Sequence, residues 1–373
     1  MPSPRLLLPA LFVIFIFSPL HAESLRLLGR TSFSSGTKIG KTTLGGLSGI
    51  TYDPSTKTFW AVSDDSAYRG GPPRLYQFSV NLSPDGSVKA SVLDTLILRD
   101  TNGRPFPVAD CEGIAATGKG GAWIVSEGRA GKKGVLPFIR LFSLSNGTIL
   151  RTLPLPDVYL PKDASGSPTS IGDSAQVSGV LTNKSLESCA LSPDLRTVYT
   201  ASETSLLQEK APGEGDGGAS ILNSTQVRIS ALDSKTGRLL GQRLYVSDAG
   251  CLFGSISDLT ALDNQGNLLV LERRVVRLED GTGSCGIRLY RVDFNEKNVT
   301  DLGKIGSVRD TKVTSLTKTL LYDSKKDGID DLDNVEGTGL FPLPNARQGL
   351  IAVSDDNFSP RQQTQLLVYE ILP

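Results

Sequence analysis

Carboxylates recur at fixed places along this 373-residue chain. Their chemistry is that of hard oxygen ligands and proton carriers. One pattern occurs five times: a short apolar segment, a turn, then a second apolar segment ending in an acid. The copies are GLSGITYDPSTKTFWAVSDD (46–65), DCEGIAATGKGGAWIVSEG (110–128), SLESCALSPDLRTVYTASE (185–203), SISDLTALDNQGNLLVLER (255–273) and NVEGTGLFPLPNARQGLIAVSDD (334–356). Aligned, they put Ser48, Glu112, Glu187, Asp258 and Glu336 at one position near the start. Asp64/Asp65, Glu127, Glu203, Glu272 and Asp355/Asp356 fall at the end. An antiparallel hairpin brings its end back to its start, so both sets are expected on one face. Acids converging there repel one another unless something neutralises them. Calcium, which accepts six to eight oxygens in flexible geometry, is the expected cofactor. Its expected ligands are Glu112, Glu187, Asp258, Glu336, Asp64 and Asp355, with Glu187 and Glu112 as catalytic carboxylates. The segment DGIDDLDNVEG (327–337) adds Asp330, Asp331 and Asp333.

Arginines recur beside the second acid set: Arg69, Arg129, Arg273 with Arg274, and Arg361, with Lys132 and Lys133 extending the second cluster. Guanidinium forks bind phosphate or carboxylate bidentately, so Arg69, Arg129, Arg273 and Arg274 are candidate substrate-binding residues. The competing reading is that these acids cap turns and pair with the arginines on a solvated rim, where such pairs contribute little. Histidine chemistry is excluded more firmly. The sole histidine, His21, and the sole methionine, Met1, both lie in the N-terminal stretch. There Arg5, the apolar run 6–17, Pro19 and Ala22 read as a secretory leader over 1–22. A mature chain over 23–373 has no imidazole for a Ser-His-Asp triad or a histidine-ligated metal.

The elements that must position these acids follow from the repeat. The turns carry Asp53-Pro54, Gly120-Gly121, Pro193-Asp194, Asn264–Gly266 and Pro344-Asn345, all turn-forming chemistry. After each copy comes a third apolar segment: 74–80, 139–145, 227–233, 287–294 and 365–371. Four of these are followed by a further β-rich segment, and the fifth meets the end of the chain. The spare segment SLRLLGRTSF (24–33) supplies the missing partner. This spells an all-β propeller of five four-stranded blades, closed by 24–33 pairing with 365–371. A sixth blade would have to come from 155–184 or 306–333, which read instead as insertions. Trp60 and Trp123, inside second strands, read as blade packing.

Cys111, Cys189, Cys251 and Cys285 are an even set in a chain read as exported, which favours disulfides over buried free thiols. Cys251 and Cys285 flank one repeat in Gly/Ser-rich loops and are the preferred pair, which leaves Cys111 with Cys189. Asn81, Asn146, Asn183, Asn223 and Asn298 begin N-x-S/T sequons, which matter only in a eukaryotic secretory pathway. Lysine plus arginine and aspartate plus glutamate both number 39, so no basic surplus exists to neutralise nucleic-acid phosphates. A monomer with a small anionic or ester substrate, and no membrane contact once the leader is cut, is expected.

The quoted GLSGITYD…FWAVSDD, CEGIA…WIVSEG and NVEGTGL…LIAVSDDN resemble the phytase-like family, described as having esterase-like activity of phytase, over about 46–372. The resemblance implies a propeller-like fold, export, and hydrolysis of esters or phosphate esters. A further resemblance, to calcium-dependent lactonase propellers, would give similar chemistry on a sugar lactone. Two classes of function remain: a metal-assisted hydrolase, and a non-catalytic exported propeller binding an anionic ligand or a protein.

Overall fold

The computed structural model describes residues 24–66, 68–106, 108–131, 134–210, 224–250, 253–277 and 283–373. The leader expected over 1–22 lies outside them. Five four-stranded antiparallel sheets form the blades. Blade 1 is Leu47–Asp53, Thr58–Ser63, Arg74–Leu82 and Val88–Ile97. Blade 2 is Cys111–Ala116, Gly121–Ser126, Phe138–Ser143 and Ile149–Leu153. Blade 3 is Ala190–Leu191, Thr197–Ala201, Gln226–Asp233 and Leu239–Val246. Blade 4 is Phe253–Ala261, Asn267–Arg277, Gly283–Asp293 and Lys318–Asp323. Blade 5 takes Asn334–Pro342, Gln348–Asp355 and Gln363–Leu372 from the C-terminal end, and Ser24–Ser34 as its outer strand.

That last pairing closes the ring as expected: Ser24 faces Leu372 and Ser34 faces Gln363, antiparallel throughout. No sixth blade forms among the described residues. The 155–184 stretch is an insertion tied by isolated bridges such as Lys162 to Pro168. The 306–333 stretch departs from expectation in one respect, since it contains the outer strand of blade 4.

Strands buried on both faces read as near-continuous apolar runs, and NLLVLE in blade 4 shows why the repeat looks as it does. Leu268 and Val270 project into the apolar layer shared with blade 3, while Leu269 and Leu271 project into the layer shared with blade 5. Equivalent layers lie between blades 1 and 2, 2 and 3, and 5 and 1. Trp60 and Trp123 are buried in two of these layers, as blade packing requires. The hairpin turns are held by aspartates. The Asp263 carboxylate, for example, accepts from the backbone N–H groups of Gln265, Gly266 and Asn267.

The innermost strands meet almost backbone to backbone. A Cβ at Gly337 would lie 2.6 Å from the Gly49 Cα, and one at Gly113 would lie 2.4 Å from the Cys189 nitrogen. Glycine is needed there for close approach, and that approach draws the starts of the first strands together around the axis.

The cysteines depart from expectation. Cys111, Cys189 and Cys285 are free thiols, and Cys251 lies outside the described residues, so neither expected bridge is present among the described residues. The reason for the first pair is geometric. Cys111 is buried between blades 1 and 2 and Cys189 between blades 2 and 3, with the sheet of blade 2 separating the two layers.

Candidate metal centre at the channel mouth

In each blade, the first strand enters with an irregularity opposite the end of the second. The register skips Ser48 in blade 1, Glu112 in blade 2 and Glu336 in blade 5. A bulged residue is left out of the ladder and its side chain is re-aimed. Blade 3 does the equivalent at Glu187: Leu186 bridges Ser202, and the Ala201 N–H bonds to the Ser188 hydroxyl. The second strands deliver Asp64, Glu127, Glu203 and Asp355 directly after serines 63, 126, 202 and 354, each of which lies opposite a first-strand residue.

Blade 4 breaks the pattern by one residue, and the expected ligand Asp258 and the aligned acid Glu272 leave the site. Its skipped residue is Ser257, not Asp258, because Ile256 pairs with Glu272 and Asp258 with Leu271. Asp258 instead accepts from the backbone N–H of Thr338 at 2.7 Å and from its hydroxyl at 3.1 Å, bracing blade 4 against blade 5. Burial pushes it up to about 8 despite those bonds. Glu272 faces outward from the axis and accepts from the Tyr245 hydroxyl at 2.6 Å and the Lys318 ammonium at 2.7 Å. Arg273 takes the place that an acid occupies in the other four blades.

Around the axis, then, stand Asp64, Glu112, Glu127, Glu187, Glu203, Glu336 and Asp355, with Arg273 among them. Arg273 bonds to Glu336 and, at 2.7 Å, to Glu203. Burial works against its charge, yet Glu336 and Glu203 hold its pKa above the usual guanidinium value. It is an internal counter-ion rather than the free substrate-binding arginine expected. Glu336 is further held by the Ser48 hydroxyl at 2.9 Å and the Asn334 amide at 2.7 Å. An eighth acid, Asp110, joins the set from the loop before blade 2. The repeat does not single it out, because its places in the other copies are Gly46, Ser185, Ile256 and Asn334, none of them an acid.

Two groups of three are close enough to share a cation. The ligand oxygens of Asp64, Glu336 and Asp355 lie within 4.8 Å of one another, and so do those of Asp110, Glu112 and Glu127. The donors are all carboxylate oxygens, which suits a hard cation such as calcium. Electrostatics point the same way. Burial, then the charge of Glu187, raises the Glu112 pKa well above the carboxylate range, and Asp110, Asp64 and Glu127 add to the effect. Burial with Asp110 does the same to Glu127, and burial with Glu203 to Glu187. Asp64 is raised by burial and by Asp355, and Asp355 is pushed up to about 8 by burial and Glu336. Burial lifts Asp110 to about 6, against hydrogen bonding with Glu127 and Ser66 and the pull of Arg129.

The other arginines divide. Arg69 and Arg129 are exposed and lie beside the acids. The Arg69 guanidinium donates to the Asn357 carbonyl at 2.9 Å, and that of Arg129 to the Ser66 carbonyl at 2.7 Å. Arg274 is buried, and its guanidinium donates to the Ala249 carbonyl. The acid-rich 327–337 segment does not reach the site before Asn334. Asp330 pairs with Lys325, Asp331 with Arg30, and Asp333 accepts from the Gln363 N–H. Lys132 and Lys133 lie outside the described residues.

Similar solved structures are distant. An α-L-arabinofuranosidase from Podospora anserina, in complex with cellotriose, is 12% identical, with 93% of this chain and 98% of that one covered and a TM-score of 0.41. The catalytic domain of a Coprinopsis cinerea α-L-arabinofuranosidase is 10% identical over 92% and 97%, with a TM-score of 0.42. An endo-arabinanase from Bacillus licheniformis is 14% identical over 90% and 95%, with a TM-score of 0.38. Likeness at this level carries nothing about activity. No curated protein matches the chain. A family model does: the one described as "Phytase-like: Esterase-like activity of phytase" matches residues 42–358, which hold every acid of the mouth. With most of its length matched, five blades in place and the repeat acids gathered at one mouth, the chain belongs to the phytase-like family.

Proposed function

We propose that this protein is an exported hydrolase of phosphate or carboxylic esters that works with calcium at the channel mouth. Removal of 1–22 and a monomeric chain belong to the same proposal. One observation supports it above the others: eight carboxylates converge with a single arginine, and several are buried without compensation. Water and salt cannot screen such a set, so a proton or a cation must neutralise it. Bound among these oxygens, calcium would polarise the ester and lower the pKa of a water.

The chain's own groups supply the rest. Glu187 is 8% exposed, its carboxyl accepts no hydrogen bond from the described residues, and burial with the charge of Glu203 raises its pKa well above the carboxylate range, toward the protonated form. A carboxyl in that state can donate its proton to a leaving oxygen. Exposed Arg69 and Arg129 flank the acids and would hold the anionic part of a substrate against them. Arg273, fixed between Glu203 and Glu336, keeps their oxygens in place and offsets part of the negative charge.

The test is hydrolysis of a phosphomonoester and of a carboxylic ester by the purified mature chain, with calcium and with chelator. Calcium-dependent turnover of either is the expected result. Absence of turnover with both, in protein that binds calcium, would favour a non-catalytic binding propeller.

A further inference from the structure

The acids of the mouth include two groups of three whose surroundings differ. Asp110, Glu112 and Glu127 gather at blade 2, whereas Asp64, Glu336 and Asp355 gather where blade 5 meets blade 1. In the blade 2 group, Glu112 is 6% exposed and its carboxylate has neither a hydrogen bond nor an ion pair among the described residues. Its oxygen nonetheless lies within 4.8 Å of those of Asp110 and Glu127. A buried acid facing only other acids is the least stable arrangement a carboxylate can have, unless a cation completes it. In the other group, Asp355 is 1% exposed, and one of its oxygens accepts from the Asn357 N–H at 2.7 Å while the other accepts no hydrogen bond. Its companion Glu336 already bonds to Arg273, Asn334 and Ser48.

We propose that the mouth binds two divalent cations per chain. The tighter site is on Asp110, Glu112 and Glu127 of blade 2, and a weaker one is on Asp64, Glu336 and Asp355, where Arg273 already supplies part of the positive charge. The proposal rests on the reading of the mouth as a cation centre and adds the number, the ligands and the order of filling. On the blade 3 side, Glu187 and Glu203 stand between the two groups, and Arg273 spans from Glu203 to Glu336. On the blade 1 side, Asp64 lies near enough to Asp110 and Glu112 for their charges to act on one another. Charge competition sets the order: a cation at the second site must share Glu336 with a guanidinium, whereas none of Asp110, Glu112 and Glu127 is ion-paired with a cationic side chain among the described residues.

Equilibrium dialysis of the full mature chain against calcium at pH 7.5 counts the cations directly and does not depend on turnover. Two calcium ions per chain are expected, with affinities separated by at least tenfold. Glu112→Gln should remove the tighter ion and leave the weaker, and Asp64→Asn should do the reverse. Arg273→Gln should tighten the weaker site by at least threefold. Far-UV circular dichroism confirms that each variant is folded. A single bound ion, or both ions lost on either acid substitution, overturns the two-site arrangement but leaves a cation-assisted hydrolase standing. Two ions in a protein without esterase or phosphatase turnover would uphold the two sites and reject the hydrolase. No bound calcium would reject both.

Discussion

Glu187 and Asp258 show how far a single residue can be read. Both are buried acids from aligned repeats, yet only Glu187 reaches the mouth. Asp258 is diverted because the bulge in blade 4 falls at Ser257, which moves every later residue one place around the strand. A bulge carries no sequence signature where a serine stands on one side and an acid on the other. The same one-residue slip turns Glu272 toward Lys318 and brings Arg273 to the axis. For Glu187 the expectation is kinetic. Glu187→Gln should lower kcat by about 100-fold or more, the usual scale of a lost general acid, with calcium stoichiometry unchanged. Unaltered kcat would remove it from the chemistry. For Cys111 and Cys189, burial pushes both thiols far up, out of the reactive range. Alkylation followed by peptide mapping should find both unmodified in the native protein and modified after unfolding. A Cys111–Cys189 peptide would contradict the position of blade 2 between them.

Elements were more legible than residues. The five hairpins and third strands were readable because each strand is apolar on both faces and each turn carries aspartate, asparagine, glycine or proline. Closure was readable because one C-terminal strand lacked a partner and one N-terminal strand was spare. The outer strand Lys318–Asp323 was hidden by the long connection before it, in which no strand precedes Lys318. The first strand of blade 3 is only Ala190–Leu191, since the ladder is irregular just before it, where the Ala201 N–H bonds to the Ser188 hydroxyl. The closing strand has the plainest consequence. Deleting 24–34 exposes the Gln363–Leu372 edge and removes the buried Leu25 from the layer between blades 4 and 5. Size-exclusion chromatography should show aggregation of that variant, and a monodisperse protein with an unchanged Tm would contradict closure by this strand.

At the scale of the whole molecule, the fold holds acids together at a cost that depends on pH. Folded values of about 6 for Asp110 and about 8 for Asp258 and Asp355 lie above the ~4 of an unfolded chain. The folded state therefore keeps protons that the unfolded state has lost. Stability is greatest near pH 4–5 and falls as pH rises toward 8, by about 1.4 kcal/mol per pH unit for each such carboxyl within its window. At roughly 2–4 °C per kcal/mol, Tm without calcium should drop by about 20 °C or more between pH 5 and pH 8. Calcium bound at the mouth as proposed should restore most of the loss, because Asp110 and Asp355 stand there, and the remainder should vanish in Asp258→Asn. A Tm that rises over the same range would show that these acids are paired in a way the structure does not contain.

A hydrolytic cation centre built on these carboxylates is tested most directly by the initial rate of phosphomonoester cleavage, measured across a calcium titration for the wild-type chain and for Glu112→Gln. The wild-type rate should rise from near zero in chelator to a plateau, and Glu112→Gln should need at least tenfold more calcium or stay inactive. A rate that is the same in chelator and calcium, and the same in both proteins, would contradict it.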